Sequence, residues 1–341
     1  MKKIKVAING AGRIGRAFIK VAHGRKELEV VAINDLGNID NIAYLLKYDT
    51  AYGVTPFDVT VSADKKELIV DGQKIAYCSE KDPAMLPWSD LGVDVVVEST
   101  GLFTSFEASR AHIKAGAKKV VISAPAKDDA PADGATILMG INEEKFATCA
   151  ITSNASCTTN SASPLIAILH EALGIEKAML NTVHAYTASQ GIVDGPNKKD
   201  FREGRAAAMN IVPSSTGAAI AVTKAFPELA GKFDGISMRV PVVVGSIADI
   251  TFISKRDTTA EEVNDILKKA AGEKRWQNIF AVTEEDLVSS DIKGSKYASI
   301  ADLSFTRVVG GNLVKVLAWY DNEMGYTHTL VDHVVKAGQA A

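Results

Sequence analysis

The sequence predicts an α/β chain of two domains. The first is a doubly wound domain on a parallel sheet, and the second an α+β domain with a mostly antiparallel sheet. Three observations predict it. The opening residues run strand, glycine-rich turn, helix, strand, as the βαβ unit does. Beyond Cys157 come long runs rich in Val, Ile and Thr, the residues that suit a pleated, half-buried surface. The length of 341 residues suits two domains with substantial cores.

Taken in order, "IKVAIN" is a short apolar run suited to a buried parallel strand. "GAGRIGR" follows at once, placing Gly10, Gly12 and Gly15 in GxGxxG spacing around Arg13 and Ile14. "RAFIKVAHG" reads as a helix with an apolar side, and "LEVVAIND" as a second strand closing on Asp35, 20 residues after Gly15. Together these form the fingerprint of a Rossmann-type dinucleotide domain. Gly10 permits the tight turn, Gly12 lets backbone approach a pyrophosphate, and Gly15 lets helix and strand pack closely. The helix N-terminus then offers N–H donors to phosphate. Asp35 suits the ribose hydroxyls of NAD, although an aspartate there also serves as a plain turn cap.

"FDVTVSADKKELIVDGQKIAYC" alternates and carries turn signals, so antiparallel strands inserted in the sheet are expected. "LGVDVVVESTGLF" and "AKKVVISAPA" are further buried strands, and Thr100, Gly101 and Ser123 lie at their carboxyl ends. Ligands of open α/β sheets sit beyond such ends, so all three are candidate cofactor contacts.

"SNASCTTN" then leads into the apolar run "SASPLIAILHEAL", which reads as a helix start with Cys157 at its head. A thiol there acidifies and can act as a nucleophile; free cysteine is equally among the most buried residue types. Strands are expected in "KAMLNTVHAYT", "DGISMRVPVVVGSIADITFIS" and "NLVKVLAWYDNE". "TAEEVNDILKKAAG" is an amphipathic helix with a capping-box start, and "HTLVDHVVKAGQ" a final helix. The long polar segment between Tyr186 and Ile211 reads as a functional loop.

Composition excludes several classes. The chain is 47% hydrophobic and 23% charged, as an ordinary soluble protein is. A net charge of -3 gives no basic footprint for nucleic acid. Three cysteines cannot build a disulfide framework, and no CxxC or His-rich pair suggests a metal. No apolar run reaches the roughly 18 residues a membrane span needs. The N-terminal apolar run is broken by Asn9 and glycines, so no secretory leader is expected, and the default compartment is the cytoplasm.

"INGAGRIGR", "SNASCTTN", "TVHAYTASQ", "PSSTGAA", "RVPVVVGSIADIT" and "WYDNEMGY" stand in an order and spacing that resemble phosphorylating glyceraldehyde-3-phosphate dehydrogenase along the whole chain. The resemblance implies a dinucleotide-binding domain over 1–156, completed by the C-terminal helix at about 322–341, with a catalytic domain over 157–321. It implies an NAD-dependent glycolytic or gluconeogenic oxidoreductase, usually a homotetramer. Such an enzyme converts glyceraldehyde 3-phosphate and inorganic phosphate to 1,3-bisphosphoglycerate through a cysteine thiohemiacetal and thioester. Residue by residue, Cys157 matches the nucleophile and His184 its base. Thr187, Ser189 and Arg239 match the ligands of the substrate phosphate. Ser156, Thr158, Thr216 and the Gly217 amide match those of the attacking phosphate, with Arg205 nearby. Asn322 matches the residue that holds the nicotinamide carboxamide, and Tyr326 one that stacks near that ring. Leu36 and Pro196 match residues of NAD-preferring relatives, Pro196 reaching the site from a neighbouring subunit. A helix N-terminus and an imidazolium together would make Cys157 a thiolate near neutral pH.

The chain departs from the family pattern in places. Ala11 stands where an aromatic is common, Met324 replaces a common tryptophan, and Ser161 replaces a frequent second cysteine. Cys78 and Cys149 read as structural, and no C-terminal cysteine pair supports a redox switch. Two other functions compete: a dehydrogenase of a related phosphorylated aldehyde such as erythrose 4-phosphate, and a non-catalytic dinucleotide-binding protein. Intact Cys157, His184 and Arg239 argue against the second.

Overall fold

A computed structural model describes residues 2–198 and 200–341. The chain divides into two compact units. The first comprises residues 1–137, 142–155 and 327–341; the second comprises 138–141 and 156–326.

The first unit alternates strands and helices. β1 (Ile4–Asn9), α1 (Arg13–Ala22), β2 (Leu28–Asn34) and α2 (Ile39–Lys47) come first. A short pair, β3 (Tyr48–Asp49) and β4 (Gly53–Val54), follows. Next are β5 (Val59–Val61), β6 (Glu67–Val70), β7 (Gln73–Cys78), α3 (Trp88–Leu91), β8 (Val95–Glu98), α4 (Phe106–Lys114) and β9 (Lys119–Ile122). β10 (Gly134–Thr136) and β11 (Ile151–Ser153) complete the sheet. Among the described residues its nine strands run β10-β11-β9-β8-β1-β2-β7-β6-β5. From β10 to β7 every pairing is parallel. β1 and β8 are buried almost throughout because helices cover both faces, hence their unbroken Val and Ile. Trp88, Phe106, Val96, Val120 and Ile151 belong to one buried cluster of this core.

The strands expected within the sheet extend its edge instead. β6 and β5 pair antiparallel beyond β7, and β7 itself runs parallel to β2. Local alternation specifies hairpins but says nothing about where a sheet receives them.

The second unit contains α5 (Cys157–Leu173), β12 (Ile175–Ala185), β13 (Val212–Ser215), α6 (Ala218–Thr223), β14 (Phe233–Val240) and β15 (Ser246–Ser254). It continues with α7 (Ala260–Ala271), β16 (Phe280–Thr283), β17 (Ser299–Val309) and β18 (Leu313–Tyr320). Its strands run β13-β14-β12-β15-β18-β17-β16. Four pairings are antiparallel; β12–β14 and β16–β17 are parallel. The fold class is therefore α/β, with a parallel-rich Rossmann sheet and a mostly antiparallel sheet. α8 (Met324–Gln339) closes the chain, and from Thr327 onward it belongs to the first unit. There Arg25 pairs with Asp332 at 3.0 Å, and Lys336 with Glu143.

Side-chain caps fix the starts of two helices of the second unit. Ser156 Oγ accepts from the Thr159 N–H at 3.0 Å, and Thr259 Oγ1 caps α7 at Glu262 N–H, 3.2 Å. Among the described residues no helix is long and apolar enough to cross a membrane.

Candidate active site

β1 is the switch point of the first sheet, flanked by parallel β2 and β8. At the carboxyl ends of these strands lies a cavity of about 270 Å³, lined by Asn9, Gly10, Gly12, Asp35, Ser99 and Thr100 among others. The glycines behave as a dinucleotide cradle requires. Gly10 has φ 98°, and a Cβ there would sit 2.7 Å from Thr100 N. A Cβ on Gly15 would lie 2.0 Å from Gly10 O, whereas one on Gly12 would meet nothing within 4 Å. One glycine turns the chain, one seats the helix, and one leaves its surface open to a ligand.

The rest of the loop is braced from behind. Asp35 Oδ2 accepts from Ala11 N–H and Oδ1 from Gly37 N–H, both at 2.7 Å. The carboxylate thus orders the turn and also lines the cleft, where lone pairs remain for ribose hydroxyls. Arg16 Nη1 donates to Ala11 O at 2.7 Å. Arg13 is held by Asp49 at 2.9 Å, so the loop offers a phosphate its main-chain N–H rather than that guanidinium. Behind Thr100 and Asn9 sits a buried carboxylate that sequence reading missed. Glu98 accepts from Asn9 Nδ2 at 2.6 Å, from Thr100 N–H at 2.8 Å and from the Thr100 hydroxyl. Gly101, at φ 74°, and half-buried Ser123 follow β8 and β9 as expected. Lys81 lines the same cleft as Asp35, a cation that no local sequence pattern announced. These residues fit a dinucleotide such as NAD.

In the second unit Cys157 is the first residue of α5, and its Sγ lies 3.4 Å from His184 Nε2. His184 is 3% exposed and comes from the carboxyl end of β12. The register of parallel β14 sets Arg239 directly beside it. Arg239 Nη1 lies 2.6 Å from His184 Nδ1 and 3.1 Å from Ala185 O. Among the described residues no carboxylate forms an ion pair with Arg239, and its buried Nε has no partner. A half-buried guanidinium without a carboxylate partner among the described residues is a ready anion site.

The electrostatics differ from the thiolate–imidazolium expectation. Burial, reinforced by the Arg239 charge, lowers His184 to about 3. Burial pushes the Cys157 thiol up, against the opposing pull of Arg239 and of hydrogen bonds from Thr158. Both directions favour the uncharged pair, a thiol beside a neutral imidazole. Sequence motifs carry no information about the enclosing desolvation.

The remaining expected residues divide. Thr187 Oγ1 and Ser189 Oγ stand 3.1 Å apart at the mouth of the loop after β12. Ser156 is committed to its cap, and Thr158 Oγ1 turns inward to Tyr320 Oη at 2.9 Å. Thr216 Oγ1 accepts from Ala218 N–H at 3.2 Å, and Gly217 is exposed. Arg205 is exposed and paired with Asp194 at 2.8 Å. Asn322 Oδ1 accepts from Gly245 N–H and Ser246 Oγ, both at 3.1 Å, which turns its amide NH₂ away from that pair of donors. Ser246 Oγ also accepts from Ala185 N–H at 3.1 Å, so this unpredicted residue links Asn322 to the strand of His184. Tyr326 is buried, at 3% exposure.

Two family models match the chain. Residues 4–106 match the glyceraldehyde 3-phosphate dehydrogenase NAD binding domain, and residues 156–322 match the C-terminal domain of the same family. The glyceraldehyde-3-phosphate dehydrogenase of Geobacillus stearothermophilus is 48% identical over 96% of both chains. Glyceraldehyde-3-phosphate dehydrogenase 1 of Kluyveromyces lactis is 47% identical over 97% of this chain and 98% of its own. The chain belongs to the glyceraldehyde-3-phosphate dehydrogenase family. Glyceraldehyde-3-phosphate dehydrogenase A of Escherichia coli, 46% identical over 96% of this chain and 97% of its own, widens the span of related organisms. Among the described residues no cluster of His, Cys, Asp or Glu is suited to a metal.

Proposed function

We infer that the chain is an NAD-dependent phosphorylating dehydrogenase that oxidises glyceraldehyde 3-phosphate to 1,3-bisphosphoglycerate. The observation that carries this is Cys157 heading α5 with His184 Nε2 at 3.4 Å and an uncompensated Arg239 beside it. Cys157 Sγ adds to the aldehyde carbon, giving a thiohemiacetal. His184 takes the hydroxyl proton as the carbonyl re-forms. Bound NAD supplies the hydride acceptor. Phosphate then attacks the resulting thioester and leaves as the acyl phosphate, restoring the thiol. The amide NH₂ of Asn322 suits a carboxamide oxygen, and the Gly10–Gly15 loop with Asp35 suits the pyrophosphate and ribose.

Arg239, with the Thr187 and Ser189 hydroxyls, suits the substrate phosphate. The attacking phosphate falls to Ser156, Thr158, Thr216, Gly217 and Arg205. Thr158, its hydroxyl spent on Tyr320, would act through its main-chain N–H. A homotetramer is supported by the loop after β12, where Ile192, Val193, Phe201, Met209 and Ile211 are each more than 70% exposed. Cytoplasmic residence accords with glycolytic or gluconeogenic work.

The test is NADH formation from glyceraldehyde 3-phosphate with and without inorganic phosphate, set against erythrose 4-phosphate. Phosphate-dependent turnover with the triose in the higher kcat/KM supports the reading. Preference for the tetrose, or equal turnover without phosphate to the free acid, overturns it.

A further inference from the structure

His184 Nδ1 faces two partners with opposite demands. Ala185 O, 2.6 Å away, can only accept, and Arg239 Nη1, also 2.6 Å away, can only donate. One ring nitrogen cannot satisfy both. With the guanidinium in place, Nδ1 must carry the lone pair, and Ala185 O is satisfied by Arg239 at 3.1 Å. The neutral ring then carries its proton on Nε2, which points it at Cys157 Sγ. A protonated Nε2 cannot receive the hydroxyl proton, so the base is held in its unproductive tautomer.

Without the guanidinium the logic reverses. Ala185 O loses a donor, Nδ1–H becomes the group that satisfies it, and Nε2 is left with a free lone pair. Among the described residues no other ionisable partner competes for the ring. Besides Arg239 and the Cys157 thiol, Tyr320 faces it edge-on at 5.9 Å, and that phenol is taken up by Thr158 and Thr182.

We propose that the substrate's phosphate switches the tautomer of His184: by drawing Arg239 off Nδ1, it transfers the ring proton to that nitrogen and frees Nε2 as the base. This rests on the reading of Arg239 as the substrate-phosphate ligand. The exchange is balanced, since Nε2 gives one proton to water and Nδ1 takes one, and the ring stays neutral. In the oxidation that follows, the thiohemiacetal O–H bond breaks and an Nε2–H bond forms. The carbonyl re-forms as the C–H electron pair leaves to NAD, so the substrate carbon is oxidised and the cofactor reduced. Arg239 thereby makes the aldehyde's own phosphate a condition for base catalysis, which discriminates against aldehydes lacking it.

The experiment supplies substrate and phosphate as separate pieces. The NAD-loaded enzyme is mixed with saturating D-glyceraldehyde, with and without phosphite dianion, in the absence of inorganic phosphate, and the pre-steady-state NADH burst is followed. Phosphite should raise the burst rate constant about tenfold or more, the scale of general-base contributions. Arg239→Leu should show a burst from glyceraldehyde that exceeds the wild type's phosphite-free rate and ignores phosphite. A second readout needs no variant at this position. ¹⁵N magic-angle-spinning spectra of histidine-labelled wild type, assigned with His184→Asn, should show the His184 proton moving from Nε2 to Nδ1 on adding glycerol 3-phosphate. An unchanged burst at phosphite concentrations that compete with glyceraldehyde 3-phosphate, or one tautomer in both spectra, overturns the switch while leaving the anion site intact. Failure of phosphite and glycerol 3-phosphate to compete at all overturns the Arg239 reading, and the switch with it.

Discussion

His112 in the first unit and His184 in the second are both buried, yet their surroundings are opposite in kind. His112 Nδ1 receives the Trp88 Nε1–H at 3.0 Å, and its Nε2–H meets the Glu98 carboxylate at 3.1 Å. The carboxylate is the nearer partner of Nε2, and the Asn9 amide, 3.4 Å from that nitrogen, is committed to the same carboxylate at 2.6 Å, so a single tautomer is favoured. His184 has a thiol on one nitrogen and two incompatible partners on the other. A fully matched inventory marks a histidine that holds structure together; a mismatched one marks a histidine that moves a proton.

The largest effects should come from the mismatched site and should spare the fold. Cys157→Ser should lower turnover about 10³-fold or more, because a serine hydroxyl is a far weaker nucleophile than the sulfur it replaces. His184→Asn should cost about 10²- to 10⁴-fold in hydride-transfer rate, the usual worth of a positioned base. Tm should move little in either variant. If His112→Asn produced the same kinetic loss with Tm unchanged, the contrast between the two histidines would be broken.

The matched site should fail in the opposite way. His112→Leu strands the Trp88 N–H and takes a donor from buried Glu98, which predicts a loss of about 2–5 kcal/mol in unfolding free energy. Urea unfolding measures it. Glu98 also accepts from Asn9 and Thr100 on the cofactor cleft, so KM for NAD should rise with little change in KM for the aldehyde.

This contrast shows where sequence was informative. The glycine fingerprint, the cap at Ser156 and the helix headed by Cys157 are local patterns, and local patterns are what a sequence displays. Glu98 looked like the polar end of a strand, because its partners Asn9 and His112 are 89 and 14 residues away. Ser246 sat inside an apparently continuous run, "DGISMRVPVVVGSIADITFIS", which the structure breaks between β14 and β15. β13, β16 and β17 escaped notice for a related reason: short or mixed-polarity strands become recognisable only through their neighbours in the sheet. The fall in the His184 pKa was not legible either, because desolvation is a property of the enclosure and not of "NTVHAYT".

A third buried histidine, His333 on α8, sharpens the comparison through pH. Its Nε2 meets Thr152 Oγ1 at 2.7 Å and its Nδ1 meets Asn154 Oδ1 at 3.1 Å, again a matched pair. Burial, aided by Lys336, lowers it to about 3 from 6.5. The folded state refuses a proton that the unfolded chain accepts, so its contribution is complete above about 6.5 and declines as pH falls towards 3. At pH 5 the decline is about 2 kcal/mol for one such group. His333→Gln should lower stability at pH 7 but flatten the slope between pH 7 and 5. An unaltered slope would assign the acid sensitivity to other groups, His184 first among them.

The smallest expected effect tests whether a group can order structure and recognise ligand at once. Asp35 braces Ala11 and Gly37 and faces the cleft, so it has both kinds of duty. For NAD its lone pairs suit the ribose hydroxyls; for NADP the same charge meets a 2′-phosphate and repels it. Lys81, lining the same cleft, offsets part of that repulsion, which the residues directly after Asp35 do not. NAD should therefore be preferred without NADP being excluded. Asp35→Gly should lower kcat/KM for NAD and shift the NAD-to-NADP ratio towards NADP about tenfold, the equivalent of about 1.4 kcal/mol. Lys81→Ala should move the ratio the other way, by lowering the NADP value alone. Equal loss for both cofactors in Asp35→Gly would mean that the carboxylate serves the glycine turn and reads nothing on the ribose. Asp35 would then belong with His112, among the residues whose partners are all within the protein.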